Sequence, residues 1–308
     1  MVTPTDRLNR YISRAAGVSR RTADEMIRKG RVTVGGKREL DPGLPFDPFR
    51  SEVRLDGNLV ITVQEEKIYL LANKPDSVVT TMSDKEGRKT AASLVGELSS
   101  RVYPVGRLDY HTTGLLLFTN DGDLAYKLTH PRFGVEKTYV AKMKGVPTPG
   151  KLDVLRRGLP IEGVLTNPAK VTFLEAREGK AWVSIRIAEG RHHQVRKMFE
   201  AIGHRVMKLR RVAIGPQELE NVEPGDWRYL TGKEVRDLFA YVEQKEREAA
   251  QAPKTRNGIA AATPRERKGP RQPKPEWKKP PKGPRPTDPS RPAKPRRRPA
   301  PAKKRPAG

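Results

Sequence analysis

Residues 103–131 read YPVGRLDYHTTGLLLFTNDGDLAYKLTHP, and this stretch carries most of the information about the fold. Leu115, Leu116, Leu117 and Phe118 form an unbroken apolar run, the pattern of a strand buried on both faces. Asn120-Asp121-Gly122 has turn chemistry, and Asp123 is suited to cap a helix beginning at Leu124. Asp109 stands between two apolar, strand-like segments, beside Leu108 and near Gly106. A carboxylate buried there must be paired, protonated or catalytic, because burying it alone costs of the order of several kcal/mol. Position alone leaves a second reading open, an aspartate on a solvated loop.

The same mixture of buried strands and amphipathic helices extends in both directions. Residues 68–72 are an apolar run that Lys74-Pro75 ends, and residues 76–90, polar and rich in Thr, Ser and Gly, read as a surface loop. Downstream, Val195, Met198, Phe199 and Ile202 share one face of a helix, and Val235, Leu238, Phe239 and Val242 predict a last one. Helices laid on a mostly antiparallel sheet make residues 67–246 an α+β domain.

Residues 5–66 read as a separate, smaller module. Leu8, Tyr11, Ile12 and Ala15 recur at helical spacing before Gly17, and Ser19 can cap a second helix whose apolar face is Ala23, Met26 and Ile27. Val32 and Val34 alternate as in a strand, Gly35-Gly36 signals a hairpin, and residues 52–55 form another short strand before Asp56-Gly57. Arg20, Arg21, Arg28, Lys29 and Arg31 cluster at the ends of the second helix, with Lys37 and Arg38 on the hairpin. Such cations fit phosphate contacts, and an ordinary solvated face fits equally well.

Composition divides the 308-residue chain again. Residues 251–308 hold 19 Lys and Arg against three acids, and 15 of the 28 prolines. They lack the apolar surface needed to offset ordering entropy, so residues 247–308 are expected to be a disordered basic tail. A net charge of +26 points to a polyanionic partner, nucleic acid ahead of an anionic membrane surface or a merely solubilising excess. No apolar run approaches the ~20 residues that cross a bilayer. Residues 1–10 lack the apolar core of a signal peptide. With zero cysteines, disulfides, thiolate zinc sites and cysteine nucleophiles are excluded. His192 and His193 have no third ligand at a suitable spacing, so no metal is expected.

The order of residues adds more than the composition. The segment RLNRYISRAAGVSRRTADEMIRKGRVTVGGK, residues 7–37, resembles the S4 RNA-binding domain, a small helix-and-hairpin module that docks on structured RNA. GRLD followed by TTGLL.FTNDGDLA..L.HP resembles the signature of the pseudouridine synthases, in the branch that joins an S4 domain to a catalytic domain and modifies ribosomal RNA. The resemblance implies Asp109 as the catalytic group. It also implies that Arg107 of the same motif and Tyr139 of Lys137-Thr138-Tyr139 contact the substrate, the tyrosine ring stacking on the base. GRHHQVRKMFEAIGH resembles the segment that supplies an arginine to pair with the aspartate, here Arg196, and VMKLRRVAIG the segment whose leucine packs beneath it, here Leu209. Arg7, Arg20, Arg21, Arg28, Lys29, Arg31 and Lys37 become the candidate RNA-binding cations. Two departures stand out: His192 or His193 replaces a common asparagine, and Asp76-Ser77 a common Lys-Gly pair.

The resemblance therefore implies isomerisation of a uridine in ribosomal RNA to pseudouridine, the large-subunit (23S) RNA favoured over the 16S. The expected enzyme is a cytoplasmic monomer without cofactor, metal or membrane association, acting on ribosomal RNA or a pre-ribosomal particle. Two rival readings exist: an RNA-binding assembly factor without catalysis, and a glycoside hydrolase. The second usually needs paired carboxylates, whereas Asp121 and Asp123 read better as turn and cap.

Overall fold

The computed structural model describes residues 6–48, 50–61, 66–96, 98 and 101–251. The expected disorder of residues 247–308 concerns a segment that, beyond residue 251, lies outside the described residues.

The N-terminal part follows its local signals. Helix α1 (Leu8–Ala15) ends before Gly17 at φ +62°, and Ser19 caps α2 (Arg20–Arg28) by accepting from the Thr22 N–H at 3.0 Å. Strands β1 (Val32–Val34) and β2 (Lys37–Glu39) pair across Gly35-Gly36, whose φ values of +56° and +79° suit a tight hairpin turn. Strand β3 (Val53–Leu55) adds to the other edge of β1. Leu8, Ile12, Ala23, Ile27, Val32 and Val53 are buried together beneath this sheet.

The second part is built on a nine-stranded sheet. Its main path runs β7-β8-β6-β9-β5-β4-β10, with β4 (Tyr69–Lys74), β5 (Thr112–Thr119), β6 (Lys137–Lys144), β7 (Lys170–Arg177), β8 (Lys180–Ile187), β9 (Val206–Ile214) and β10 (Trp227–Tyr229). Neighbours on the path are antiparallel except β5 and β9, which run parallel at the centre. As its apolar run predicts, β5 is buried along nearly its whole length. One of its faces packs on α3 (Gly122–Thr129) and α6 (Gly232–Gln251). At the β6–β9 end, the opposite face of the sheet packs on α4 (Pro149–Arg157) and α5 (Gln194–Ala201). Where β5 meets β9, a methyl group at Gly114 would lie 2.2 Å from the Arg211 carbonyl oxygen, so glycine alone permits this approach.

Two expectations change. The cap of α3 is Asp121, not Asp123: its side chain accepts from the Asp123 and Leu124 N–H groups at 3.1 and 3.2 Å, so the helix starts earlier than its apolar pattern. Asp123 is thereby released to bind Arg10 of α1 through two bonds of 2.9 and 3.0 Å, joining the two parts of the chain. Helix α6 continues to Gln251, past residue 246 where the sequence reading ends the domain.

Candidate active site

Asp109 lies on the loop that leads into β5, and its side chain is one-third exposed. This loop is tied down at almost every residue. Thr80 Oγ1 donates to the Leu108 carbonyl at 2.8 Å and accepts from the Leu108 N–H at 3.2 Å. The Thr112 N–H closes a turn onto the Asp109 carbonyl at 3.0 Å. Tyr110 offers its carbonyl to the Ser77 N–H at 3.1 Å and to the Lys74 ammonium at 3.2 Å. Beyond it, the His111 carbonyl accepts from Arg196 Nη2 at 2.8 Å, and the His111 ring meets Asp76 at 3.0 Å.

A cavity of about 80 Å³ opens beside Asp109, between Arg107, Tyr139, His193 and Leu209 among others. The strand register explains the grouping: β6 places Tyr139 opposite Ile185 and Arg211, while Leu209 stands opposite Ala141. Tyr139 and Leu209 thus lie on the same face of the sheet and pack into its core, Tyr139 only partly buried. Thr112 Oγ1 at the cavity wall is buried without a hydrogen-bond partner among the described residues.

The candidate catalytic residue, Asp109, thus comes together with three of the four candidate substrate-binding residues: Arg107, Tyr139 and Leu209. Arg196 is placed differently. Its guanidinium donates to two backbone carbonyls, His111 at 2.8 Å and Val206 at 3.4 Å, and makes no ion pair with Asp109. Among the described residues the cation-forming group within 4 Å of the Asp109 carboxylate is His193, with Nε2 at 3.5 Å. His193 precedes α5 in the left-handed conformation (φ +54°), which turns its ring to the cavity. The expected direct pair gives way to a backbone clamp because Arg196, one turn into the helix, meets the loop beyond the aspartate.

Of the seven candidate RNA-binding cations, Arg7, Arg20, Arg21, Arg28, Lys29 and Lys37 are exposed and outside the ion pairs of the described residues. Arg31 is committed to Asp56 through Nε at 2.9 Å, a hydrogen bond that raises its own pKa and lowers that of the carboxylate. Arg20 reaches towards the start of α3, where it helps keep Asp123 ionised, behind the larger effects of Arg10.

Sequence reasoning overlooked Lys74. Its side chain is fully buried, donating to the Pro75 and Tyr110 carbonyls at 3.0 and 3.2 Å. Burial pushes the ammonium down to about 8 against the pull of Asp76 and Asp109. A lysine closing an otherwise apolar strand is the signal that could have found it.

No helix among the described residues is long and apolar enough to cross a membrane, and no group of three or more His, Cys, Asp or Glu there is arranged to hold a metal ion.

Residues 6–49 match the model of the S4 domain and residues 68–201 that of RNA pseudouridylate synthase. An S4 domain followed by this mixed-sheet domain defines an enzyme that acts on RNA. The chain is 41% identical over 237 residues to ribosomal large subunit pseudouridine synthase B of Bacillus subtilis, covering 76% of this chain and 96% of the relative. It is 35% identical to the dual-specificity RNA pseudouridine synthase RluF of Escherichia coli O6:H1, covering 81% and 84%. A solved pseudouridylate synthase superimposes with a TM-score of 0.55 at 31% identity, over 75% of this chain and 99% of that one. The chain belongs to the RNA pseudouridine synthase family.

Proposed function

We propose that the protein isomerises one uridine of ribosomal RNA, in the large-subunit RNA, to pseudouridine, with Asp109 as the single essential catalytic group. The observation that carries this reading is the clamped loop: it holds Asp109 at the mouth of a cavity that Tyr139 and Leu209 also line. An aspartate serving only as a turn residue needs no such bracing.

The reaction breaks the bond from uracil N1 to C1′, turns the base and joins C5 to C1′. The C5 hydrogen leaves as a proton and N1 gains one, so the product is an isomer of the substrate. Asp109 acts as nucleophile or base. Tyr139 supports the detached ring with its face, and Leu209 keeps water from the reacting carbon. Arg107 at the rim suits the phosphates that flank the target nucleotide. Arg196, Thr80 and Lys74 act through the loop backbone and are positioning residues. The target base must leave its stack at a cost of a few kcal/mol, which RNA contacts made by Arg7, Arg20, Arg21, Arg28, Lys29 and Lys37 offset. The enzyme works as a cytoplasmic monomer on ribosomal RNA or a pre-ribosomal particle, without cofactor.

The 23S assignment draws on the large-subunit name of the Bacillus subtilis relative; the dual-specificity name of the Escherichia coli relative allows a second RNA, and 16S RNA is the alternative set against 23S here. Incubating the full chain with separate 23S and 16S transcripts and mapping pseudouridine distinguishes them. One new site in 23S RNA, absent with Asp109→Asn, is the expected result. A site in 16S RNA alone overturns the target, and a site formed by Asp109→Asn overturns the catalytic role. No site in either RNA, with binding intact, favours an assembly factor.

A further inference from the structure

Four adjacent strands, β7, β8, β6 and β9, bury one face against α4 and α5, and among the described residues no helix covers the other. The alternation is regular along β8: Ala181, Val183, Ile185 and Ile187 are buried, whereas Lys180, Trp182, Ser184 and Arg186 are not. The uncovered face is the reverse of the one that holds Tyr139 and Leu209.

Strand register writes out its chemistry. Lys142 stands opposite Trp182 on one side and Lys208 on the other, Lys144 opposite Lys180, Arg186 opposite Lys170, and Val140 between Ser184 and Arg210. Lys142 Nζ lies 4.4 Å from the centre of the Trp182 ring, a cation–π contact on an open surface. Glu136 partly neutralises Lys170 and Arg186, at 3.0 and 3.6 Å, and Glu178 lies near Lys180 at 4.0 Å. Lys142, Lys144, Lys208 and Arg210 make no ion pair among the described residues. Like charges directly opposed across strands destabilise a sheet, and Lys142–Lys208 and Lys144–Lys180 are two such pairs side by side. Nothing in the folding of the chain calls for them. An anionic partner laid across the strands would convert this repulsion into attraction.

We propose that the uncovered face of these strands, centred on Lys142, Lys208 and Arg210 with the Trp182 ring beside them, is a second RNA-binding surface that grips the phosphate backbone of the substrate RNA away from the reacting uridine. The choice of RNA among polyanions rests on the proposed function. The face bears no catalytic group. It adds affinity for large, folded RNA without affecting the chemical step.

The test compares wild type with Lys142→Ala/Lys208→Ala/Arg210→Ala in the full chain, binding a ribosomal RNA fragment over a range of salt concentrations. A control, Lys233→Ala/Arg236→Ala/Arg247→Ala, removes the same charge from α6. Each lost phosphate contact lowers the slope of log K against log salt by about 0.7–0.9, so the triple variant should lose roughly two to three units of slope. Its melting temperature without RNA should equal or exceed that of wild type, since the opposed lysines are relieved. On a short stem-loop that spans only the cleft, kcat should be unchanged. An unchanged slope overturns the proposal. So does an equal loss in the control, which would reduce the effect to net charge, or a loss confined to binding of phosphatidylserine vesicles, which would assign the face to membrane. The two readings fail separately: RNA gripped by this face without pseudouridine formation sinks the reaction alone, and pseudouridine formation with an unchanged slope sinks the face alone.

Discussion

Arg196 Nη2 donates to the carbonyl oxygen of His111 at 2.8 Å, so helix α5 fixes the loop two residues beyond Asp109 without touching its carboxylate. The same guanidinium reaches the Val206 carbonyl at the start of β9, tying the loop to the strand that carries Leu209. The aspartate is thereby referenced to the wall of its cavity.

Replacing Arg196 should accordingly act on the chemical step. Lysine cannot reproduce a fork that spans two carbonyls. Arg196→Lys is expected to lower kcat about 100-fold with little change in KM, the scale of a small misplacement of a reacting group. Single-turnover and steady-state kinetics on the same RNA separate the two constants. A raised KM at constant kcat would make Arg196 a substrate contact instead of a positioning residue.

Lys74 offers a pH-dependent test. Its folded-state pKa of about 8 lies below the ordinary 10.5, so between these values the unfolded chain binds more protons than the folded one. The cost of the buried charge is fully present below about 8 and is relieved as pH rises towards 10.5. Relative to Lys74→Met, the wild type should therefore gain stability across that window in urea unfolding. At neutral pH the variant, which leaves two part-buried carbonyls without their donor, should be less stable by roughly 1–3 kcal/mol. A stability difference that is flat with pH would refute the assigned shift.

Gly114→Ala should cost roughly 3 kcal/mol, since its methyl meets the Arg211 carbonyl and its φ of +103° disfavours any side chain. Calorimetric melting measures this. A near-neutral effect would mean that β5 and β9 pair less closely than the register shows.

What could be read in advance was local. The apolar run at 115–118, the face of α5 and the Ser19 cap depend on residues within a turn or two of one another, and each has its expected form. The choice between Asp121 and Asp123 as cap could not be made locally, because both are good caps and both precede Leu124. It is decided by where β5 releases the chain and by Arg10, which is distant in sequence and claims Asp123. The parallel pairing of β5 with β9, the commitment of Arg31 to Asp56 and the burial of Lys74 likewise depend on contacts that no sequence period encodes. Of the residues named from the resemblance, Asp109, Tyr139 and Leu209 line one cavity. The approach of His193 and the exclusion of Arg196 from the carboxylate follow from the left-handed residue before α5.

The most direct test of the central claim is a map of pseudouridine in ribosomal RNA from cells lacking this protein, complemented with wild type or with Asp109→Asn. The account predicts that one site disappears in the large-subunit RNA and returns with the wild type alone. An unchanged map, or full restoration by Asp109→Asn, would contradict it.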